Sequence, residues 1–137
     1  MTAAATRKLI SQYYAAFNAQ DVDGMLTCLG SGFVHDVSQG EARKGKDKFA
    51  AFLAHMNSSY KEVLSDIVIM SNADGSRAAA EFKLKGKYLK TDAGLPKAKG
   101  QKYKLRVGTF FEVKRGKITR VTTHYNLKDW TQQVLGK

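Results

Sequence analysis

Ala80-Glu81-Phe82-Lys83-Leu84-Lys85-Gly86-Lys87-Tyr88 decides the architecture of this 137-residue chain. Ala80, Phe82, Leu84 and Tyr88 fall on one face of an extended segment, and Glu81, Lys83, Lys85 and Lys87 on the other. That alternation belongs to a half-buried antiparallel strand, predicted here over Ala78 to Leu89. Tyr103, Leu105, Val107, Thr109, Phe111 and Val113 alternate likewise against Lys102, Lys104, Arg106, Gly108, Phe110 and Glu112, so the two segments are expected to pair. Between them, Thr91 to Gly100 carries the only proline, Pro96, with Gly94 and Gly100, and reads as a mobile loop. On the N-terminal side, Asn72-Ala73-Asp74-Gly75-Ser76 is a hairpin turn from a strand over Val63 to Met70. On the C-terminal side, Arg115-Gly116 turns the chain into Ile118 to Leu127, and Asp129 to Leu135 closes it.

Upstream of Tyr60 the apolar period is helical. Leu9, Ile10, Tyr13, Tyr14 and Phe17 predict a helix from Thr6 to Ala19, and Asn18-Ala19-Gln20-Asp21 supplies its end and the cap of the next. Val22, Met25, Leu26 and Leu29 give a short second helix stopped by Gly30-Ser31-Gly32. A short apolar element, Phe33-Val34-His35-Asp36-Val37, follows. Gly40 and Gly45 bracket a loop, and Phe49, Phe52, Leu53 and Met56 mark a third helix ending near Asn57, with His55 off its apolar face and solvated. Three helices and then an antiparallel meander predict an α+β domain over residues 1–137, its helices covering one face of a curved sheet.

Hydrophobic residues make up 43% of the chain and charged residues 26%, the balance of a globular protein. No apolar run is long enough to span a bilayer. The N-terminal residues Met1 to Lys8 lack the pattern of a secretory signal, so a cytoplasmic location is expected. Cys28 shares helical spacing with Val22, Met25 and Leu29 and reads as a small buried apolar residue. The net charge is +11, concentrated between Lys83 and Arg106, where nine basic residues face one acid, Asp92. Such a ladder suits an acidic partner, but Phe110 is its one clear stacking residue, which weighs against nucleic acid and favours a solvated face.

Asp36 has two readings on the stretch alone: a turn or capping residue, or a general base delivered to the inner end of the element. His35 and Asp36 are adjacent on an extended segment and point to opposite sides, so they form no dyad; the same holds for His124 and Tyr125. No three residues are spaced for zinc and no glycine loop resembles a phosphate cradle, so no metal or cofactor is predicted.

Tyr13-Tyr14-Ala15-Ala16-Phe17, Gln20-Asp21-Val22-Asp23-Gly24-Met25-Leu26, the Gly40 to Gly45 loop and Phe111-Glu112-Val113-Lys114-Arg115-Gly116-Lys117-Ile118 together resemble the NTF2-like superfamily, which includes ketosteroid isomerases and SnoaL-type polyketide cyclases. The likeness runs from Thr6 to Leu135. It implies a cone in which three N-terminal helices pack on a strongly curved, mostly antiparallel sheet, and a homodimer. It also implies catalytic roles. Asp36 falls where that family's proton-shuttling aspartate sits, with Glu41, Arg43 and Gly45 at the family's spacing, and Tyr13 where it places an oxyanion-hole tyrosine. Thr109 stands where a second oxyanion donor, an aspartic acid, is expected, which counts against authentic steroid isomerisation.

The cavity of such a cone would be lined by Tyr13, Phe17, Phe52, Met56, Phe82, Leu84, Thr109, Phe111 and Tyr125, suiting an apolar, polyketide- or steroid-like small molecule. The competing reading is that these aromatics fill the core. Within a cavity, Asp36 would have its pKa raised by desolvation and would move a proton next to a carbonyl. The other function class is a non-catalytic ligand-binding or dimerising module.

Overall fold

The computed structural model describes residues 2–37 and 40–137; Met1, which opens the N-terminal segment read above, lies outside them. Among the described residues there are four helices and six strands, with β1 (Leu29–Val37), β2 (Ala42–Lys44), β3 (Tyr60–Ser71), β4 (Arg77–Tyr88), β5 (Lys102–Lys114) and β6 (Lys117–His124) in one curved, unclosed sheet of order β2-β1-β6-β5-β4-β3. This is the NTF2-like cone expected from the sequence.

Helix α1 (Ala3–Asn18) starts earlier than its apolar period suggests, because Thr2 is the cap: its hydroxyl accepts from the Ala5 amide at 3.0 Å. Ile10, Tyr13 and Tyr14 turn inward, and the Thr6 hydroxyl donates to the Gly75 carbonyl at 2.6 Å in the hairpin turn. Asp21 caps the short α2 (Val22–Thr27). The glycine run expected to end that helix instead lies inside β1 (Leu29–Val37), which pairs parallel with β6 and antiparallel with the three-residue β2 (Ala42–Lys44), a strand hidden within the predicted loop. Gly45 has a φ of 101°, open to glycine and costly to other residues, and turns the chain into α3 (Lys46–Ser59).

Strands β3 (Tyr60–Ser71), β4 (Arg77–Tyr88), β5 (Lys102–Lys114) and β6 (Lys117–His124) form the antiparallel meander. Inward positions of β4 and β5 follow the predicted alternation: Ala80, Phe82, Leu84 and Tyr88 are buried, as are Tyr103, Leu105, Val107, Thr109, Phe111 and Val113. Register sets Lys83 opposite Arg106, Lys85 opposite Lys104 and Lys87 opposite Lys102, so the basic ladder is real and lies on the outer face. A bulge at Asp66 bends β3, and beside it the Asn18 side chain exchanges two hydrogen bonds with the Leu64 backbone, 2.9 and 3.0 Å, tying α1 to the sheet.

The closing segment is a helix, α4 (Leu127–Val134), begun by Asn126, which accepts from the Asp129 amide. It buries Trp130, and Gln133 bonds both the Lys104 amide and carbonyl, 2.9 and 2.8 Å, satisfying the β5 edge beyond the end of β6. The β4–β5 loop, expected to be mobile, is tied down by Tyr88. Its hydroxyl accepts from the Asp92 amide at 2.9 Å and donates to the Pro96 carbonyl at 2.7 Å.

Candidate functional site

Helices α1 and α3 do not fill the concave face of the sheet. A cavity of about 400 Å³ remains, walled by Phe17, Phe49, Phe52, Met56, Phe82 and Leu84 and by apolar residues of β5 and β6. That size suits a molecule of two or three fused rings or an equivalent chain.

Polar groups enter the wall in three places. Deep inside, the Tyr14 hydroxyl donates to Thr109 Oγ1 at 2.8 Å, and Tyr13 lines the wall beside it with ring centroids 5.1 Å apart. Burial pushes both phenols well above their ordinary range. At the β1–β2 edge stand His35 and Arg43.

The third group lies at the β3 edge. Glu62, Gly86 and Tyr103 occupy one row across three strands, and a Cβ on Gly86 would collide with the Tyr103 ring. The missing side chain lets the phenol lie across β4 and donate to Glu62 Oε2 at 2.6 Å. Burial raises the Glu62 pKa, and the hydrogen bond from Tyr103 lowers it only in part. Tyr103 in turn is pushed up by burial and by the Glu62 charge. One row on, Tyr60 stacks on Tyr88 and donates to Asp92 Oδ2 at 2.7 Å, while His55 Nε2 meets Asp92 Oδ1 at 2.9 Å. Burial acts to raise the Asp92 pKa, but the bonds from Tyr60 and His55 outweigh it and hold the carboxyl below its usual value. Trp130 meets Tyr60, Tyr88 and Tyr103 edge-on and closes this end.

Most of the predicted lining is found there: Tyr13, Phe17, Phe52, Met56, Phe82, Leu84, Thr109 and Tyr125 all border the cavity. Phe111 does not. It is buried behind Tyr13 and Tyr14, each ring 6.0 Å away, and serves the core. Asp36 also departs from expectation, because β1 presents Phe33, His35 and Val37 inward and turns Asp36 to the outer face. There its Oδ2 pairs with Arg120 at 3.3 Å and accepts from Thr122 at 3.2 Å, and its side chain is 42% exposed. His35, expected to face away, lines the cavity and is 6% exposed. His55 is half exposed, as its position off the apolar face suggests, yet it is engaged by Asp92 rather than only solvated. Glu62, Tyr60, Tyr103, Asp92 and Trp130 were not anticipated as site residues. Gly86, an inward position with no side chain between Leu84 and Tyr88, was the available signal for close approach.

Among the described residues, no three His, Cys, Asp or Glu side chains come together to hold a metal, and no helix is long and apolar enough to cross a membrane.

A family model for the SnoaL-like domain matches residues 10–121. The chain belongs to the SnoaL-like family. It is similar to a provisionally assigned polyketide cyclase from Pseudomonas putida, at 55% identity and a TM-score of 0.92 over 98% of both chains. Another provisionally assigned polyketide cyclase, from a Silicibacter species, is 52% identical with a TM-score of 0.94, again over 98% of both chains. An epoxide hydrolase from Mycobacterium tuberculosis, of the LEH-like kind, shares the fold at 18% identity and a TM-score of 0.76, over 97% of this chain and 86% of that one. No curated protein matches the chain.

Proposed function

We propose that this SnoaL-like chain binds an apolar, polyketide- or steroid-sized molecule in the cone and moves a proton next to a carbonyl, as isomerases and cyclases do. The observation that carries this reading is Glu62, a carboxyl at the wall of an open apolar cavity with its pKa raised by burial. Desolvation brings a carboxylate toward the strength needed to take a proton from carbon. Tyr103 fixes Oε2, and among the described residues it is the carboxyl's one side-chain hydrogen-bond partner, which leaves Oε1 for substrate. The base role expected of Asp36 passes to Glu62, because Asp36 lies across the sheet from the cavity.

The ionised Glu62 takes the α-proton, the C–H electron pair becomes the carbon–carbon double bond, and the carbonyl π pair moves onto oxygen to give an enolate. The Tyr13 hydroxyl on the deep wall is the proposed donor to that oxygen. Tyr14 and Thr109 already satisfy one another, so they serve less well. Return of the proton to another carbon completes an isomerisation; attack of the enolate carbon on a second carbonyl, whose oxygen then takes the proton back from Glu62, completes a cyclisation. The two relatives assigned as polyketide cyclases agree with the second outcome.

The test is exchange of the α-protons of β-tetralone in deuterated buffer, followed by NMR. Wild type accelerates exchange, Glu62→Gln reduces the acceleration about 100-fold or more, and Asp36→Asn leaves it intact. Saturable binding of the ketone with no acceleration would leave only a ligand-binding module. The proposed homodimer has its own support on the outer face, where exposed Met70 and Phe110 lie in one row and Val68 in the next. Phe110→Lys should then halve the mass measured by light scattering.

A further inference from the structure

At the end of the cavity away from Glu62, a polar pair has no use in the proton transfer. His35 and Arg43 are cross-strand partners on β1 and β2, and both border the cavity. The His35 ring packs against Phe49 and Phe52, at centroid distances of 5.1 and 4.5 Å, and among the described residues its buried Nδ1 has no hydrogen-bond partner. Burial first, and then the Arg43 charge, bring its pKa down to about 4 against the opposing pull of Asp36, so the ring is neutral at pH 7. A neutral imidazole has one N–H and one lone pair. Among the described residues neither ring nitrogen has a hydrogen-bond partner, so whatever binds Nε2 sets the tautomer. A buried polar atom without a partner is uncommon and costs free energy; Nδ1 has essentially no accessible surface, so the nitrogen open to a ligand is Nε2.

Arg43 adds the charge. Among the described residues it forms no ion pair, and Asp36, beside its cross-strand partner, is already held by Arg120 on the opposite face. The cavity acids, Glu62 and Asp92, belong to β3 and the β4–β5 loop, at the other edge of the sheet. The cavity therefore carries an exposed cation and a neutral imidazole at one edge, carboxyls at the other, and between them apolar side chains with Tyr13, Tyr14 and Thr109 on the deep wall.

We propose that the ligand of this cavity is an apolar ring acid whose carboxylate is held by Arg43 and hydrogen-bonded by His35. A planar guanidinium presents paired N–H groups that match the two oxygens of a carboxylate. The inference rests on the cavity being a small-molecule site, and it adds the substrate class: an acid whose far end, directed at Glu62, carries the carbonyl to be enolised.

Calorimetric titration with β-naphthoate and with its neutral counterpart, methyl β-naphthyl ketone, tests it on the wild-type protein and three variants. Wild type should bind the carboxylate about tenfold or more tightly than the ketone. Arg43→Gln should remove that preference by weakening the carboxylate alone. His35→Phe should weaken the carboxylate less, and leave ketone binding equal or tighter. Equal affinities for both probes would overturn the inference while leaving the cavity reading standing. A carboxylate preference that survives Arg43→Gln undiminished would mean that Arg43 does not hold the anion, and would overturn it as well. Failure of both probes to bind would remove the cavity reading and this inference together. Glu62→Gln separates the two proposals, because it should abolish proton exchange without changing the carboxylate preference.

Discussion

The inner and outer faces of one sheet hold carboxylates in opposite circumstances. On the outer face, Asp36 pairs with Arg120 at 3.3 Å, Arg120 also reaches Glu112 at 2.7 Å, and Arg77 meets the other Glu112 oxygen at 3.3 Å. Each of these four residues has an opposite charge beside it. On the inner face, Glu62 has a phenol for a partner, and burial raises its pKa. The same functional group is thus a surface ion pair in one place and a candidate base in the other, and the cause is what surrounds it. Chemistry belongs to the face where charge is poorly answered.

Strand β1 offers the largest test of that contrast, since His35 and Asp36 are neighbours on opposite faces. The folded His35 pKa is about 4 against an ordinary 6.5. Below 6.5 the unfolded chain takes up a proton that the folded chain resists, so stability is fully present above that pH and is lost as pH falls toward 4. The shift corresponds to about 3 kcal/mol. Urea unfolding of His35→Phe should therefore fall with acid less steeply than wild type, by about that amount over the same window. Parallel acid profiles for the two proteins would mean that the ring is not buried as described.

Gly86→Ala sharpens the inner side next. The added methyl meets the Tyr103 ring, which must leave the row it shares with Glu62. Overpacking of this kind costs roughly 1–3 kcal/mol, measurable as a lower urea midpoint. Acceleration of β-tetralone exchange should drop at the same time, because Tyr103 no longer holds Oε2. Stability lost with exchange unchanged would make Tyr103 a packing residue only.

How far the sequence reaches follows from the same positions. The meander was legible because residues 80–88, Gly86 aside, and 103–113 alternate, and the helices because their apolar residues recur at helical intervals. The phase of β1 was not. Phe33 and Val34 are both apolar, so either phase of that short stretch buries a hydrophobic residue. What decides it is parallel pairing with β6, which sets Asp36 opposite Thr122, a contact between residues far apart in the chain. Glu62 was missed because β3 was read as beginning at Val63, leaving the acid outside the strand whose alternation would have turned it inward. Phe111 was correctly placed on the inner face, but inner face and cavity wall differ wherever helix side chains cover the sheet, as Tyr13 and Tyr14 do there.

A smaller effect separates the two carboxylates directly. Because burial raises the Glu62 pKa, the folded chain binds its proton more tightly than the unfolded chain does, and stability declines as pH rises above the ordinary carboxylate range. Glu62→Gln cannot ionise and escapes that decline. It should be more stable than wild type near neutral pH, with the gap closing in acid. A variant less stable than wild type at neutral pH would mean that the Tyr103 bond outweighs the cost of burying the charge.

Asp36→Asn should do least. The carboxylate is 42% exposed and the Arg120 side chain 39% exposed, so solvent screens their attraction, and exposed pairs contribute about 0–1 kcal/mol. Arg120 also keeps its shorter bond to Glu112, and Thr122 can donate to an amide oxygen as well as to a carboxylate. The urea midpoint should move little, and less in high salt than in low. A loss as large as that from Gly86→Ala would mean that the outer network of Asp36, Arg120 and Glu112 fixes the β1–β6 pairing, and that the outer face also sets the inward aim of His35.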